Sequence, residues 1–528
     1  MKLKDIQKWD LETDIVIVGF GAAGGVTAID AADAGSRVLI LEKMAFPGGL
    51  SAVSAGGIRV SDDAGEAFKY LKATCGGRTP DDILQTLADG MPKVPDYMRR
   101  LAEVNGATVN VTPALGNYPL PGCESLAYCE VSQVPSLENG ERYHATHHTK
   151  NGGRLFKVLE DNVIKRNIPV HYCTPARELI TDGDGEVRGV LAENDGKTLA
   201  IRTSRAVVLT SGGFENCDEM KKQYLQAMPI LTGSFAGNTG DGIRMAQAVG
   251  ADLWHMWHYH GPYGLEDPKG EFPFGIYLKA VPMWTPGHPE SISDLGVVDD
   301  AGKPMSQKAL AKMAWIVVDQ DGQRFMDEYP PYPGDTGIRP FDYFDSKRQK
   351  FPRIPAYMIF DENGRKMYAI GRTSFNDPDA FYDWSTDNLK EVERGIFVKA
   401  DTVEDLAQKM NVELPRLKTT IEDWNSHVAK GVDTEFGRMP DTMVPLDTPP
   451  YYFGRVYPMV INTQGGPRHN IRQEIVDPFG NPIPRLYAAG ELGSVFGHLY
   501  LGGGNLAECV IGGRIAARET AALEAWEH

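Results

Sequence analysis

The chain has 528 residues, 42% of them hydrophobic and 24% charged, and a net charge of −17. That length exceeds what one core usually supports and predicts two domains, while the acidic balance argues against nucleic acid as a partner. No apolar run is long enough for a transmembrane helix, and the opening residues MKLKDIQKWD lack the apolar core of a signal peptide, so a cytoplasmic protein is expected. Six cysteines, Cys75, Cys123, Cys129, Cys173, Cys217 and Cys509, include no C-x-x-C pair, which leaves disulfides, iron–sulfur clusters and covalent haem without support.

Asp14 to Val18 (DIVIV) is apolar and β-branched, the pattern of a strand buried on both faces. Gly19, Gly21 and Gly24 follow at once as G-x-G-x-x-G, and an alanine-rich stretch then runs as a helix toward Gly35. Arg37 to Lys43 (RVLILEK) predicts the next strand, giving a β-α-β unit of a parallel sheet. In that setting Gly19 makes the tight turn, Gly21 lets backbone approach a pyrophosphate, and Gly24 lets helix pack close on strand. Glu42, ending the second strand, is placed to hold ribose hydroxyls. Ala22 and Ala23 at the helix start and Lys43 after Glu42 are expected contacts of the same dinucleotide.

The loop Pro47 to Ile58 (PGGLSAVSAGGI) carries two glycine pairs among small residues. Its Gly49, Ser51, Gly56 and Gly57 are expected to let backbone lie against a flat ring. Between residues 152 and 208, GGRLFKVLEDNVIKRN reads as a helix, with IPVHYC and ARELITD as strands; Ala176, opening the latter, is an expected contact. EVRGVLAEND and KTLAIRTS read as a hairpin around Asp195-Gly196, and RAVVLTSGGF as a further buried strand ending at Ser211 and Gly212. The turn GNTGDGI adds Asn238 and Asp241. Residues 273–451 are richer in Pro, Trp, Phe and Tyr and read as an inserted domain, so the expected division is 1–272, 273–451 and 452–528. PRLYAAGE predicts a strand whose Glu491 accepts ribityl hydroxyls. The final helix starts near Gly504, Asn505 and Leu506, with its positive end toward the pyrimidine edge of a flavin.

These motifs, in this order, resemble the fumarate reductase/succinate dehydrogenase flavoprotein superfamily, over roughly residues 12–262 and 452–528. The resemblance implies an α/β fold: a discontinuous Rossmann-like FAD-binding domain with a parallel sheet, and an inserted α+β capping domain that closes over the ring. Members with covalent flavin carry a histidine six residues before the first Gly of the second glycine pair; counted back from Gly56, that position is Leu50. FAD is therefore expected to be held non-covalently.

The dicarboxylate branch of the superfamily binds its substrate with His and Arg, because charge is met by charge. The corresponding positions here are Gly497, Leu501 and Pro333. Gly497 to Gly504 (GHLYLGGG) instead matches the G-x-x-Y-x-G-x-G of 3-ketosteroid dehydrogenases. The 1,2-dehydrogenases also place a tyrosine four residues after the Glu of G-x-R-F-x-x-E, where this chain has Tyr332. This resemblance implies α,β-dehydrogenation of a bulky uncharged cyclic ketone, or the reverse enone reduction, with Tyr332 as base. The Tyr500 hydroxyl and Gly504 N–H are the expected oxyanion donors, and Tyr118 falls near a third tyrosine that assists the base. A tyrosine base needs a lowered pKa or an alkaline medium.

No metal is expected. His255, His258 and His260 form H-x-x-H-x-H, but the superfamily carries no metal there. With one dinucleotide motif, electrons are expected to exchange with an external carrier. Two other readings remain open. One is a fumarate- or urocanate-type enoate reductase with Arg339 or His260 as the cation; the other is a flavin carrier without chemistry of its own.

Overall fold

The computed structural model describes residues 1–137, 151–279, 281, 283–285, 288–293, 312–372, 374–377 and 380–526. The apolar run after Leu11 forms the strand Leu11–Val18, whose Ile15, Val16 and Ile17 are fully buried. It lies parallel to Val38–Leu41 on one side, Ile15 opposite Val38 and Val18 opposite Leu41, and to Lys197–Leu209 on the other, Val18 opposite Leu209. The sheet runs in the order Glu474–Val476, Pro482–Ala488, Lys197–Leu209, Leu11–Val18, Val38–Leu41, Val170–His171. Because its central strands are parallel, Val18, Leu41, Leu209 and Ala488 all end at one edge. In open parallel sheets that carboxyl edge is where ligands bind.

The two strands read as KTLAIRTS and RAVVL are one strand of 13 residues, Lys197–Leu209. No Gly or Pro interrupts it, and the two runs join through a register shift, Thr13 pairing with Thr203 and Ile15 with Ala206. Its first part pairs antiparallel with Val187–Asn194, and residues 201–209 pair parallel with Leu11–Val18. The expected hairpin turn is present: Asp195 and Gly196 have φ of 48° and 72°, as a two-residue primed turn requires.

The first helix, Ala22–Asp33, packs against the last, Gly504–Ala522, through small residues. A Cβ on Gly513 would lie 3.0 Å from the Ala23 carbonyl, and Thr27 Oγ1 donates to the Gly513 carbonyl at 3.2 Å. The chain's end is thereby fixed beside its beginning.

A second sheet is centred on Tyr451–Val460, which pairs antiparallel with Tyr263–Leu265, Ala356–Asp361 and Phe397–Ala400. It therefore draws strands from both sides of positions 272 and 451. Just beyond it, Asn462–Thr463 pairs with Tyr259–His260, setting His260 directly opposite Asn462. Among the described residues no helix is long and apolar enough to cross a membrane.

Candidate active site

A cleft runs along the carboxyl edge of the parallel sheet. It is lined by Gly19, Gly21, Ala22, Ala23, Glu42, Lys43, Gly49, Ser51, Ala176, Ser211, Gly212, Asn238, Asp241 and Glu491. Gly19 has φ of 105°, and a Cβ there would sit 2.7 Å from the Thr210 carbonyl; a Cβ on Gly24 would sit 2.1 Å from the Gly19 carbonyl. Gly24 thus serves strand–helix packing, while Gly21 and the first turn of the helix face the cleft. That helix follows Gly21, which offers no capping side chain, and has no acid in its first turn; its Ala22 N–H donates to Ser51 Oγ at 3.1 Å, and such a helix end favours a phosphate.

Glu42 accepts the N–H groups of Phe20 and Met44 at 2.8 Å each, and burial raises its carboxyl against those bonds. The Lys43 ammonium is bonded to Thr239 Oγ1 at 2.6 Å and Asp241 Oδ2 at 2.8 Å. Ser211 Oγ is buried at the cleft and finds no partner among the described residues, so the cleft keeps a hydroxyl for a ligand. Glu491 accepts the Thr463 N–H at 2.9 Å; burial, then the nearby Glu215 carboxyl, hold it well above the usual carboxylate range. These residues fit an extended dinucleotide. Phe20, Leu41, Phe235 and Cys509 line the same cleft at positions whose residue type no motif fixes, so the sequence reading missed them.

Gly56 and Gly57 lie further along, toward the loop of the last helix. The missing Cβ of Gly503 would meet the Gly57 carbonyl at 2.5 Å, so the two turns touch backbone to backbone. Leu506 is half-buried and packs against the hydrophobic core around the first and last helices. Asn505 does not line the dinucleotide cleft but joins a buried polar network described below.

Beyond these glycines four tyrosines converge. Tyr332 Oη lies 2.9 Å from His260 Nε2, and the rings of Tyr332 and Tyr500 stand 5.5 and 4.5 Å from the His260 ring. Tyr118 meets Tyr332 edge-on at 6.0 Å. Tyr128, which no motif marked, accepts an Arg59 N–H at 2.7 Å and brings its hydroxyl close to that of Tyr332 around Gly502. A Cβ on Gly502 would sit 3.0 Å from Tyr332 Oη and 3.2 Å from Tyr128 Oη. Arg59 is fully buried; its other N–H groups go to the carbonyls of Gly502, Ala114 and Leu115 and toward Asn117.

Tyr332 is carried by a segment that a buried ion pair fixes. Arg324, from G-x-R-F-x-x-E, forks onto Glu328 at 3.0 and 2.9 Å and reaches Asp433 at 3.0 Å. Asp335 then joins this segment to the glycine loop. Fully buried, it accepts the Tyr500 N–H at 2.8 Å, an Arg339 N–H at 3.1 Å and the Tyr118 hydroxyl, with His258 Nε2 at 3.4 Å. Burial alone would raise Asp335, but His258, Arg339 and Tyr118 together hold it well below the usual range.

The three histidines turn to different partners. His255 Nδ1 lies 2.7 Å from the Ser494 carbonyl, His258 Nδ1 bonds the Phe496 carbonyl, and His260 Nδ1 lies 2.8 Å from Asn462 Oδ1. Among the described residues no group of three His, Cys, Asp or Glu side chains is gathered as a metal site. Burial lowers both His255 and His260 to about 4. It also raises Tyr332 well above 10, with the charges of Tyr500, Tyr128 and Asp335 adding and Arg59 opposing. A tyrosine lowered by its surroundings is therefore not what the fold provides.

One expected donor is corrected. The Gly504 N–H is bonded to the Leu501 carbonyl at 2.7 Å, closing the tight turn before the last helix, and does not face the cleft. The N–H beside Tyr500 Oη is that of Asn505, at 3.4 Å.

Comparison with known proteins places these features. The FAD binding domain family matches residues 14–269 and 278–506. The chain is 28% identical to digoxin reductase of Eggerthella lenta, over 98% of this chain and 89% of that protein. It is 28% identical to 3-oxosteroid 1-dehydrogenase of Mycolicibacterium smegmatis, over 97% and 98%, and 25% identical to urocanate reductase of E. lenta, over 97% and 75%. Its fold is similar to that of 3-ketosteroid Δ1-dehydrogenase from Sterolibacterium denitrificans, with a TM-score of 0.77 and 24% identity over 97% and 99% of the two chains. Helix-end, glycine turns and buried carboxylates thus have a common explanation: the chain belongs to the FAD binding domain family of the succinate dehydrogenase/fumarate reductase flavoprotein superfamily, and is an FAD-dependent oxidoreductase of the kind that acts on CH–CH groups.

Proposed function

We propose that this flavoenzyme catalyses α,β-dehydrogenation of a 3-ketosteroid-like cyclic ketone, or the reverse reduction of an enone. FAD, when bound, supplies the hydride-accepting or hydride-donating centre; the chain supplies grip and proton transfer. Tyr332 exchanges the proton at the carbon next to the carbonyl. Tyr500 donates to the carbonyl oxygen: the Asn505 N–H donates to Tyr500 Oη, which leaves the hydroxyl proton for the substrate. Tyr118, whose hydroxyl is committed to Asp335, supports the Tyr332 ring. Segment 273–451 caps the site, and an external carrier exchanges the electrons.

The observation that carries this reading is the convergence of Tyr332 and Tyr500 on one neutral imidazole. Neutral donors suit an uncharged carbonyl, whereas a substrate carboxylate calls for a guanidinium. Arg339 is engaged with Asp335 and with the His498 carbonyl at 2.6 Å, which argues against its serving as that clamp. Similarity to proteins named digoxin reductase and 3-oxosteroid 1-dehydrogenase supports a bulky cyclic substrate.

The test is anaerobic bleaching of the flavin by a panel of saturated 3-ketosteroids, and anaerobic oxidation of the reduced flavin by the matching enones, with fumarate and urocanate as competitors. Turnover of a ketosteroid or enone, lost by about 100-fold or more in Tyr332→Phe, is expected of general acid–base catalysis. Turnover of fumarate or urocanate alone would refute the reading.

A further inference from the structure

A buried tyrosine held above its ordinary pKa is a poor base on its own, and the structure contains what remedies this. Starting from Glu508, hydrogen bonds run without a break to Tyr332. Glu508 accepts the Val495 N–H at 2.7 Å, the Ser494 hydroxyl at 2.9 Å and Asn505 Nδ2 at 2.7 Å. With its NH₂ turned to that carboxyl and to Gln464 Oε1 at 3.1 Å, Asn505 offers its Oδ1 to Asn462 Nδ2 at 2.5 Å. Asn462 must then offer its own oxygen, which lies 2.8 Å from His260 Nδ1. An amide oxygen accepts only, so the His260 hydrogen is on Nδ1 and the lone pair on Nε2. That lone pair faces Tyr332 Oη at 2.9 Å, and it can only accept.

We infer that His260 is the positioning residue that makes Tyr332 a base: its Nε2 accepts the Tyr332 hydroxyl proton as Tyr332 Oη takes a proton from the substrate. This rests on the function proposed above. The C–H bond next to the substrate carbonyl breaks and its electron pair stays with the substrate as enolate. The released proton forms a new O–H on Tyr332, and the original hydroxyl proton forms N–H on His260, giving an imidazolium. Charge balances as enolate plus imidazolium, and in enone reduction the same protons return by the same route.

The surroundings suit this role. Burial lowers His260 to about 4, so the ring is neutral and its lone pair available through the physiological range. The charge of Asp335 and the bond to Asn462 oppose that shift and favour the imidazolium, and His258 adds to the lowering. Tyr500 packs on the other side at 4.5 Å. Tyr118, Tyr128 and Arg59 also lie around Tyr332. Gly334 keeps the approach open, since a Cβ there would stand 2.9 Å from His260 Nε2.

Two measurements on the holoenzyme test the inference. In ¹⁵N-histidine NMR, assigned with His260→Gln, the His260 ring is expected as the neutral Nδ1–H tautomer; an Nε2–H tautomer overturns the inference whatever the substrate. In anaerobic flavin bleaching by 5α-androstane-3,17-dione, His260→Ala is expected to lose about 100-fold near neutral pH, the size of a general-base contribution. The loss is expected to shrink about tenfold per pH unit toward alkaline pH, as hydroxide removes the tyrosine proton instead, and on addition of imidazole. A loss independent of pH and imidazole, or no loss, overturns the relay. If neither the ketones nor the matching enones exchange electrons with the flavin of the unaltered enzyme, the proposed function falls and the relay with it, while the tautomer still decides whether Nε2 can accept from Tyr332.

Discussion

Asp335 Oδ2 accepts the backbone N–H of Tyr500 at 2.8 Å, so one buried carboxylate ties the segment carrying Tyr332 to the glycine loop carrying Tyr500. The two hydroxyls proposed to act on one substrate are thereby held in register from behind. Asp335→Ala would leave the Tyr500 N–H, the Tyr118 hydroxyl and His258 without their shared acceptor. Loss of a buried charged partner is expected to cost about 3–5 kcal/mol, read as a lower urea midpoint at unchanged slope. Because Asp335 is depressed in the fold, its stabilisation is present above about pH 4 and is lost as pH falls from there toward its folded value. The variant is expected to show a shallower acid limb than the unaltered protein; superimposable acid limbs would argue that Asp335 is not the anchor.

Leu50 lines the dinucleotide cleft from the short helix Gly49–Val53, at the position where covalent relatives carry their histidine. An alkyl side chain has no nucleophile to bond a flavin. Acid precipitation of the yellow protein is expected to leave all flavin in the supernatant. Flavin that stays with the pellet and survives proteolysis as a yellow peptide would contradict this.

How far these relationships could be read in advance follows from how local they are. Gly19, Gly21, Gly24 and Glu42 were legible because a β-α-β unit of consecutive residues builds that end of the site. The same holds for the Asp195-Gly196 hairpin. His260 and Asn462 are 202 residues apart, and only the antiparallel pairing of two two-residue strands sets them opposite each other. No periodicity announces so short a pairing. Tyr128 and Arg59 were missed for a similar reason: their roles come from the three-stranded sheet that brings Arg59 opposite Tyr128. Gly504 was misassigned because a motif gives position along the chain, not which way an N–H turns.

The space that the missing Cβ of Gly502 leaves is shared by Tyr332, Tyr128 and Asn117. A Cβ 3.0 Å from Tyr332 Oη forces the hydroxyl to yield by a few tenths of an ångström. Gly502→Ala is expected to lower the rate of flavin bleaching about tenfold, since small displacements of a reacting group already cost rate. FAD affinity, set at the other end of the cleft, is expected to stay unchanged. Equal losses in FAD binding and bleaching would point to collapse of the glycine loop instead.

Glu508 makes a prediction about pH that is independent of turnover. Burial pushes its carboxyl up to about 7, against the Val495 N–H, the Ser494 hydroxyl and the Asn505 amide, which favour the ionised form. A carboxyl raised in the fold binds its proton more tightly there than in the unfolded chain, where it titrates near ~4.3. Its stabilising contribution is therefore complete below ~4.3, declines as pH rises through this window, and is lost above about 7. The difference amounts to on the order of 3 kcal/mol. Urea unfolding across the window is expected to lose stability by that order, and Glu508→Gln, neutral throughout, to give a flatter profile. An unchanged slope in the variant would move the effect to another raised carboxyl. Glu215, lifted by burial and hydrogen-bonded to Asn238 beside Glu491, is then the group whose replacement by Gln should flatten the curve.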